Sequence, residues 1–443
     1  MNGIFLALVL LAFGCAALRQ LGIAAADPDT MARLAKAIVE DAGQAVTLAI
    51  GLVGVMTLFL GLMKVAEAGG LLAIVARLLR PVLVRLFPSV PPQHPAMGAM
   101  ILNIASNVLG LGNAATPFGI RAMQHLNALN PIKGVASNPM VLFLAINTSS
   151  VTLLPTGVIA LRAASGSSDP AGIVPTTLFA TLCSTAVAIA MAKACQRWWP
   201  VSGTGAESNP AVASPAANRQ PDDITQAEAH QDAELAAAAD PAADSPAWAS
   251  MLALTLVVLL IPATVIWGQS VAPWIIPGLV VGLLLFGATH GVRVYEAFVD
   301  GAREGFQVAI RIIPYLVAIL VAVGMLRASG ALDLLIGPLG AATARIGLPG
   351  EALLMGLLRP LSGSGAFAFL ASVLNDPAIG PDSYTGYLVS TIQGSTETTF
   401  YVLAVYFGAV GIRRMRHAVV VGLVADAAGV AASVLICSIL HGA

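Results

Sequence analysis

The sequence predicts an all-α polytopic membrane protein of two related halves with broken or re-entrant helices. Three observations predict it: scarce charge, long apolar runs and an internal repeat. Of 443 residues, 57% are hydrophobic and 10% charged. Soluble domains carry roughly 25% charged residues, so this chain cannot cover a water-facing surface. The runs Ile4–Leu18, Ala45–Met63, Gly172–Ala192, Met251–Trp267, Ile275–Thr289 and Ala418–Leu440 approach or exceed the ~20 residues that cross a bilayer as a helix. In hydrocarbon every backbone N–H and C=O must be bonded within the protein, which leaves helices or closed barrels. These runs are too long and too continuously apolar for barrel strands, which alternate over about ten residues.

The elements follow in chain order. The first apolar run precedes Ala24–Ala26, small residues that suit signal cleavage. No basic segment lies ahead of it, and a retained helix is expected. Arg19, Arg33 and Lys36 point to a cytoplasmic end for that helix. The next run ends at Lys64 and Glu67, which at i, i+3 satisfy each other. Residues 71–130 read equally as a re-entrant hairpin, an interfacial helix or true spans. After Trp199 the composition turns to Ala, Pro, Ser, Asp and Gln, with Arg219 the sole Lys or Arg over 200–247 against eight Asp or Glu. Such a stretch buries little apolar area and is expected to be a disordered tether. The expected domains are therefore a membrane half at 1–199, a linker at 200–247 and a second membrane half at 248–443. Near the end, Arg413, Arg414, Arg416 and His417 form a basic cluster that again favours the cytoplasm. His94, His125, His290 and His417 fall in connecting or flanking regions, and each is expected at the surface.

The two halves repeat each other. AIVEDAGQAVTLAI (Ala37–Ile50) aligns with AFVDGAREGFQVAI (Ala297–Ile310), and at the same offset Ala68, Gly70 and Leu72 fall on Ala328, Gly330 and Leu332. The helix carrying Arg77, Arg80 and Arg85 has a weaker partner at Leu332–Arg345, and Pro88 matches Pro349. Gly110–Gly119 (GLGNAATPFG) faces Arg359–Ala368 (RPLSGSGAFA), and INTSSVT (Ile146–Thr152) faces IQGSTETT (Ile392–Thr399). Repeated membrane halves are a transporter architecture, with solute sites where helices break near the midplane. The repeat alone leaves open whether the halves are inverted or parallel.

Four polar segments interrupt the apolar helices at matching places. They supply the candidate binding residues Asn113, Asn147, Thr148, Ser149 and Ser150 in the first half, and Ser362, Ser364, Gln393, Ser395, Thr396 and Glu397 in the second. Freed carbonyls and amides at such breaks are tolerated in a membrane only when buried in protein or lining a cavity. Ser, Thr, Gly and Asn also serve simply as helix–helix contacts, each bond being worth ~0.6–2 kcal/mol. Glu397 is the sharpest candidate, because a carboxylate at bilayer depth costs ~2.5–3.5 kcal/mol and needs a cavity, a cation or a proton. Arg359, ahead of Pro360, is its expected charge partner, the alternative being an interfacial, snorkelling arginine. Asp426 is a second apolar-flanked carboxylate, open between site and structure.

Enzymatic readings find little support: HExxH and GxxxxGK[ST] are missing, and Ser364 in SGSGA is not a nucleophile elbow. The protein is expected not to be an enzyme and to need no cofactor. Cys15, Cys183, Cys195 and Cys437 are dispersed and read as packing residues, not metal ligands or disulfides. A net charge of −1 gives no reason to expect a nucleic-acid partner.

At the level of whole motifs the sequence resembles a known family. GLMKVAEAGGL, NVLGLGNAATPFGIRAM and FLAINTSSVTLLPTGVIALR resemble spore maturation protein A; LLRPLSGSGA and STIQGSTETTFYVLAVYFGAVGIRRMRHA resemble spore maturation protein B. The resemblance covers nearly all of both membrane regions and leaves out the linker, which suggests two proteins fused into one chain. That family carries the nucleoside recognition, or gate, domain, which is similar to membrane segments of concentrative nucleoside transporters and of the ferrous iron transporter B. The resemblance implies a transporter-like or gating core without naming a substrate. The expected setting is the bacterial inner membrane, with the lipid bilayer, a small polar solute or ion, and further copies of the chain in a homo-oligomer as candidate partners. The alternative is a non-transporting scaffold in envelope or spore maturation.

Overall fold

The computed structural model describes residues 2–23, 27–199, 276–331 and 342–442, together with 255, 274 and 340. The linker 200–247 and most of Met251–Trp267 and Leu332–Arg345 lie outside the described residues. The first half comprises α1 (Asn2–Gln20), α2 (Thr30–Ala68), α3 (Leu71–Leu86), α4 (Pro95–Val108), α5 (Gly112–Ala128), α6 (Asn138–Thr148), α7 (Thr156–Ala164) and α8 (Ile173–Cys195). The second comprises α9 (Ile276–Thr289), α10 (Val294–Ala328), α11 (Gly350–Leu358), α12 (Gly363–Leu374), α13 (Tyr384–Ser395), α14 (Thr399–Gly408) and α15 (Ala418–His441). Among the described residues there is no strand, and four helices are long and apolar enough to cross a bilayer: α2, the segment Pro170–Cys195 that contains α8, α10 and α15. The chain is an all-α polytopic membrane protein.

The repeat read from sequence is visible as matched topology. Gly70 and Gly330 follow α2 and α10 with φ of 82° and 70°, a left-handed turn that glycine adopts without strain. The paired helices α4–α5 and α11–α12 then correspond, as do the interrupted helices α6–α7 and α13–α14, and the long closing helices α8 and α15.

The direction of the repeat is set by the helix pairs. Gly61 lies against Phe298, Gly301 against Leu60 and Lys64, Gly305 against Met56 and Thr57, and Gly324 against Asp41. As α2 descends in number, α10 ascends, so the two run antiparallel. Helices α8 and α15 do the same. Trp199 and His417 stack with ring centres 6.1 Å apart at one end. At the other, Thr391 Oγ1 meets Thr176 Oγ1 at 2.7 Å and Cys437 Sγ at 3.5 Å. The halves are therefore inverted, related by a pseudo-twofold axis in the membrane plane, the arrangement of many secondary transporters.

Loops of one half clasp loops of the other at each end of the bundle. At one end Arg162 is fully buried. It donates to Pro381 O at 2.7 Å, Asp169 O at 3.2 Å, Ser167 Oγ at 3.1 Å and Asp382 Oδ1 at 3.2 Å, with its guanidinium 4.1 Å from the Tyr387 ring centre. Burial opposes ionisation of Asp382, but Ser167, the backbone and hydroxyl of Ser168, and Arg162 together hold its pKa below the ordinary value. At the opposite end Arg413 N and Ala136 N close backbone bonds with Gly134 O and Arg414 O at 2.9 and 3.0 Å. Arg416 Nη1 donates to Asn138 Oδ1 at 2.7 Å.

Two expectations need correction. Arg19 packs against Gly330, beyond the end of α10, whereas Arg413–Arg416 precede α15, whose 24 residues lie between the two ends. The basic groups expected on one side of the membrane thus sit on opposite sides, because the inverted pairing of α2 with α10 carries the start of α2 away from the start of α15. His417, expected at the surface, is fully buried, since the first turn of α15 docks on the end of α8. Lys64 pairs with Glu67 at 3.1 Å as expected, and adds Glu304 at 3.7 Å across the halves.

Candidate functional site

Both interrupted helices break deep in the bundle. In α6 the hydroxyls of Thr148 and Ser149 turn back onto Ala145 O at 2.9 and 2.8 Å, competing with the helical ladder. Pro155 then supplies no donor and starts the next helix. In α13 the chain leaves the helix at Thr396 (φ −143°, ψ 163°) and re-enters at Thr399. Each break is held by the hairpin tip of its own half: Leu153 N donates to Val108 O at 2.9 Å, and Phe400 N to Pro360 O at 3.1 Å. The breaks themselves are joined across the halves, where Glu397 N donates to Thr148 O at 2.8 Å.

Neutral polar side chains gather on the first-half side. Asn107 Nδ2 donates to Asn147 Oδ1 at 3.0 Å, and Asn147 Nδ2 to Phe143 O at 2.9 Å. Tyr406 of the second half reaches into this group, accepting from Asn103 Nδ2 at 3.1 Å and lying 3.4 Å from Asn147 Oδ1. The second-half side is charged. Arg359, its side chain 7% exposed, donates from Nε to Gln393 O at 3.0 Å and from Nη1 to Thr398 Oγ1 at 2.9 Å. Its Nη2 lies 3.6 Å from Glu397 Oε2, with Glu397 half-exposed. Ser362 caps α12 by accepting from Gly365 N at 3.0 Å, with Ser364 Oγ 3.5 Å away. Asp426 on α15 is buried, and its Oδ2 accepts from Thr399 Oγ1 at 2.6 Å.

Two cavities flank the crossing. One of ≈ 300 Å³ is lined by α3, α4, the α6–α7 break and α8, including Asn107, Ser150 and Thr185. The other, of ≈ 620 Å³, is lined by α11, Pro360, Phe400 and α15, including Asp426. They are symmetry mates. Each lies against the broken helix and the closing helix of its own half, with Leu182, Thr185 and Ile189 of α8 in one and Leu423, Asp426 and Val430 of α15 in the other.

Residues 49–165 and 309–413 match the family model described as nucleoside recognition, or Gate. The chain belongs to the nucleoside recognition family. The two matched segments start 260 residues apart, the offset that aligns the halves. The chain is 48% identical over 167 residues to spore maturation protein B of Bacillus subtilis (strain 168), covering 38% of this chain and 93% of that protein. It is 48% identical over 155 residues to spore maturation protein A of the same organism, covering 35% of this chain and 79% of that protein. Each match covers a different part of the chain. No solved structure matches.

Within this member of the nucleoside recognition family, the sequence-predicted residues divide by location. Asn147, Thr148, Gln393, Ser395, Thr396 and Arg359 are all buried around the crossing, and Ser149 and Ser150 begin the irregular α6–α7 segment. Ser362 and Ser364 stand at the α11–α12 tip beside Thr398, whose hydroxyl lies next to Gly363. Asn113 is near the start of α5, and its side chain lies outside the described residues. Arg359 and Glu397 face each other as expected. Sequence reasoning missed Tyr406 and Thr185, a tyrosine and a threonine in apolar helices whose inward orientation no motif signals. It left Asp426 open, although a carboxylate in GLVADAAGV is itself the signal.

Proposed function

We propose that this protein moves or gates a small polar solute or ion through the crossing of its two broken helices, in the inner membrane of a bacterium. The observation that carries this reading is the bond from Glu397 N to Thr148 O, which joins the interrupted helix of one inverted half to that of the other. A shift of either half relative to the other must rearrange that junction, and a site that both halves share is what alternating access requires. The participating groups are Asn147, Thr148, Ser149 and Ser150 with Asn113 from the first half, and Ser362, Ser364, Gln393, Ser395, Thr396 and Glu397 with Arg359 from the second. No nucleotide-phosphate motif occurs in the chain, so an ion gradient is the proposed energy source, and no catalysis or cofactor is assigned. The basic α14–α15 end faces the cytoplasm under the positive-inside rule.

Thermal unfolding of purified protein against nucleosides, small polar metabolites, Na⁺ and a pH series, run beside Glu397→Gln, tests the reading. A ligand of the folded state raises Tm by mass action, and a shift produced by a nucleoside or polar metabolite should shrink or vanish in the variant. No shift with any compound, in folded protein, would favour the second reading: a membrane scaffold in envelope or spore maturation, which the names of the two relatives favour.

A further inference from the structure

Asp426 is the one described residue that puts a carboxylate into either of the two symmetry-related cavities beside the crossing. It is 5% exposed. Its Oδ2 accepts from the Thr399 hydroxyl at 2.6 Å, while Oδ1 is buried with no hydrogen-bond partner. A carboxylate so placed costs several kcal/mol unless something neutralises it. In the matching cavity the closing helix α8 presents Thr185, neutral and satisfied by donating to Ser149 O at 2.6 Å. That cavity is lined without a carboxylate, and packing does not explain the one that is present here.

The surrounding elements offer Asp426 no committed cation. Helix α6 has no titratable side chain. Helix α8 has Cys183, with Lys193 and Cys195 in its last turn far along the antiparallel pair, beside the start of α15, and α15 itself has Cys437 and His441 toward its other end. Helix α13 has Tyr384 and Tyr387 in its first turn, at the opposite end from Thr396. Helix α14 has Tyr401 and Tyr406, and α11 has Glu351 in its first turn. Arg359, which follows α11, acts on Asp426 through space, but its three nitrogens already serve Gln393 O, Thr398 Oγ1 and Glu397. Thr396 lies beside the carboxylate at the C-terminal end of α13, where helix carbonyls favour positive charge.

We propose that Asp426, with the hydroxyls of Thr399 and Thr396, is the binding site for a small monovalent cation, H⁺ or Na⁺, in the wall of the 620 Å³ cavity. One carboxylate among neutral oxygens matches a single positive charge, and the unpartnered Oδ1 is the open position it fills. The inference rests on the proposed transport reading for its purpose, since a cation bound on α15 against Thr399 of α14 ties the α13–α14 break to the long closing helix. It concerns Asp426 rather than Glu397, which is half-exposed and already paired.

The full chain in nanodiscs is melted across a Na⁺ series at fixed pH and ionic strength, balanced with K⁺, and across a pH series without Na⁺. Wild type, Asp426→Asn, Thr399→Val and Glu397→Gln are compared. Na⁺ or acid should raise the wild-type Tm by about 3 °C near saturation. The response should be lost in Asp426→Asn, weakened about fivefold in half-saturating concentration in Thr399→Val, and kept in Glu397→Gln. The asparagine variant separates the two cations. It mimics the neutral acid and holds the low-pH Tm at every pH if the ligand is H⁺, but stays at the Na⁺-free Tm if the ligand is Na⁺. A wild type that answers neither cation, or a response that survives in Asp426→Asn or disappears only in Glu397→Gln, overturns the site. A response lost in Asp426→Asn in a protein that binds none of the solutes keeps the cation site and removes the solute-transport reading instead.

Discussion

At the break between α6 and α7 the polar side chains are neutral: Asn147 is held by Asn107 and its own helix, and Thr148 and Ser149 bond back to Ala145. At the symmetry-related break between α13 and α14, a buried arginine spans Gln393, Thr398 and Glu397, and an aspartate hangs on Thr399. Both breaks are equally complete, and both are clamped by a hairpin tip through a backbone bond. The break is therefore produced by small hydroxyl residues, proline and hairpin contact, and needs no charge. The charge in the second half is an addition to a frame that stands without it, and the proposed cation site lies in that half.

The largest expected effect tests this asymmetry directly. Arg359→Met keeps much of the volume but leaves Gln393 O and Thr398 Oγ1 without their donor. Each loss is worth about 1–2 kcal/mol in a buried setting, so unfolding in micelles should register a loss of about 2–4 kcal/mol. Asn107→Leu in the first half removes one amide bond and should lose about 1 kcal/mol. Equal losses at the two sites would show that both breaks depend on their polar partners alike.

The α2–α10 pair offers the second comparison, because its two ends are symmetry mates with the charged and small residues exchanged. At one end the backbone at Gly301 meets Lys64; at the other, Gly324 meets Asp41. A Cβ at Gly301 would lie 2.5 Å from Leu60 O, 2.5 Å from Lys64 Cβ and 3.0 Å from Gly61 Cα, atoms that move only if the helices separate. Gly301→Ala should lose about 2 kcal/mol, in the range of overpacking. At Gly324 the nearest atoms belong to the Asp41 carboxylate, which can swing into a cavity of ≈ 690 Å³ lined by Gln44, Arg327 and Asn375. Gly324→Ala should therefore melt within a degree or two of wild type, and a loss matching Gly301→Ala would mean that the two ends are equally tight.

These contacts also show what the sequence carried and what it did not. The offset joining Ala37–Ile50 to Ala297–Ile310 is the register of α2 and α10 in the repeat, and the apolar runs Ala45–Met63, Gly172–Ala192 and Ala418–Leu440 lie in helices of bilayer length, because both are properties of residue order, while Ile4–Leu18 and Ile275–Thr289 fall in shorter apolar helices. The polar interruptions at INTSSVT and IQGSTETT became breaks for the same local reason. Orientation was not legible: identity at matching positions is the same for a parallel and an inverted repeat, and only contacts such as Gly61–Phe298 and Gly305–Thr57 decide it. The misplaced partnership of Arg19 with Arg413 followed from that gap. Tyr406 was invisible because its hydroxyl meets Asn103 over a separation of 303 residues, and Arg359 was legible because an arginine among apolar residues demands a carboxylate wherever it folds.

Tyr406 sharpens the same contrast at smaller scale, since it is the second half's one neutral contribution to the first half's polar group. Tyr406→Phe keeps the stacking on Phe143, whose ring centre is 6.1 Å away. It also leaves Asn103 Nδ2 its bond to Ala115 O at 2.7 Å. About 1 kcal/mol or less should be lost, and a much larger loss would make the neutral side as interdependent as the charged one.

The smallest effect concerns the two end clasps, one built on Arg162 and Asp382, the other on backbone bonds and Asn138. Asp382 is over a third exposed, so water screens its pairing with Arg162, and Asp382→Asn should lower stability by only about 0.5 kcal/mol at neutral pH. The pH dependence is the sharper signal. Because the folded protein holds the Asp382 pKa below its ordinary value, its contribution is complete above the unfolded value of about 3.9 and disappears as pH falls through the depressed folded value. The Tm gap between wild type and Asp382→Asn should thus be constant from pH 7 to about 5 and close in strong acid. A gap that stayed open in acid would assign the loss to the shape of the amide against Ser167 and Ser168 rather than to charge, making this clasp as independent of ionisation as the Gly134–Arg414 clasp at the other end.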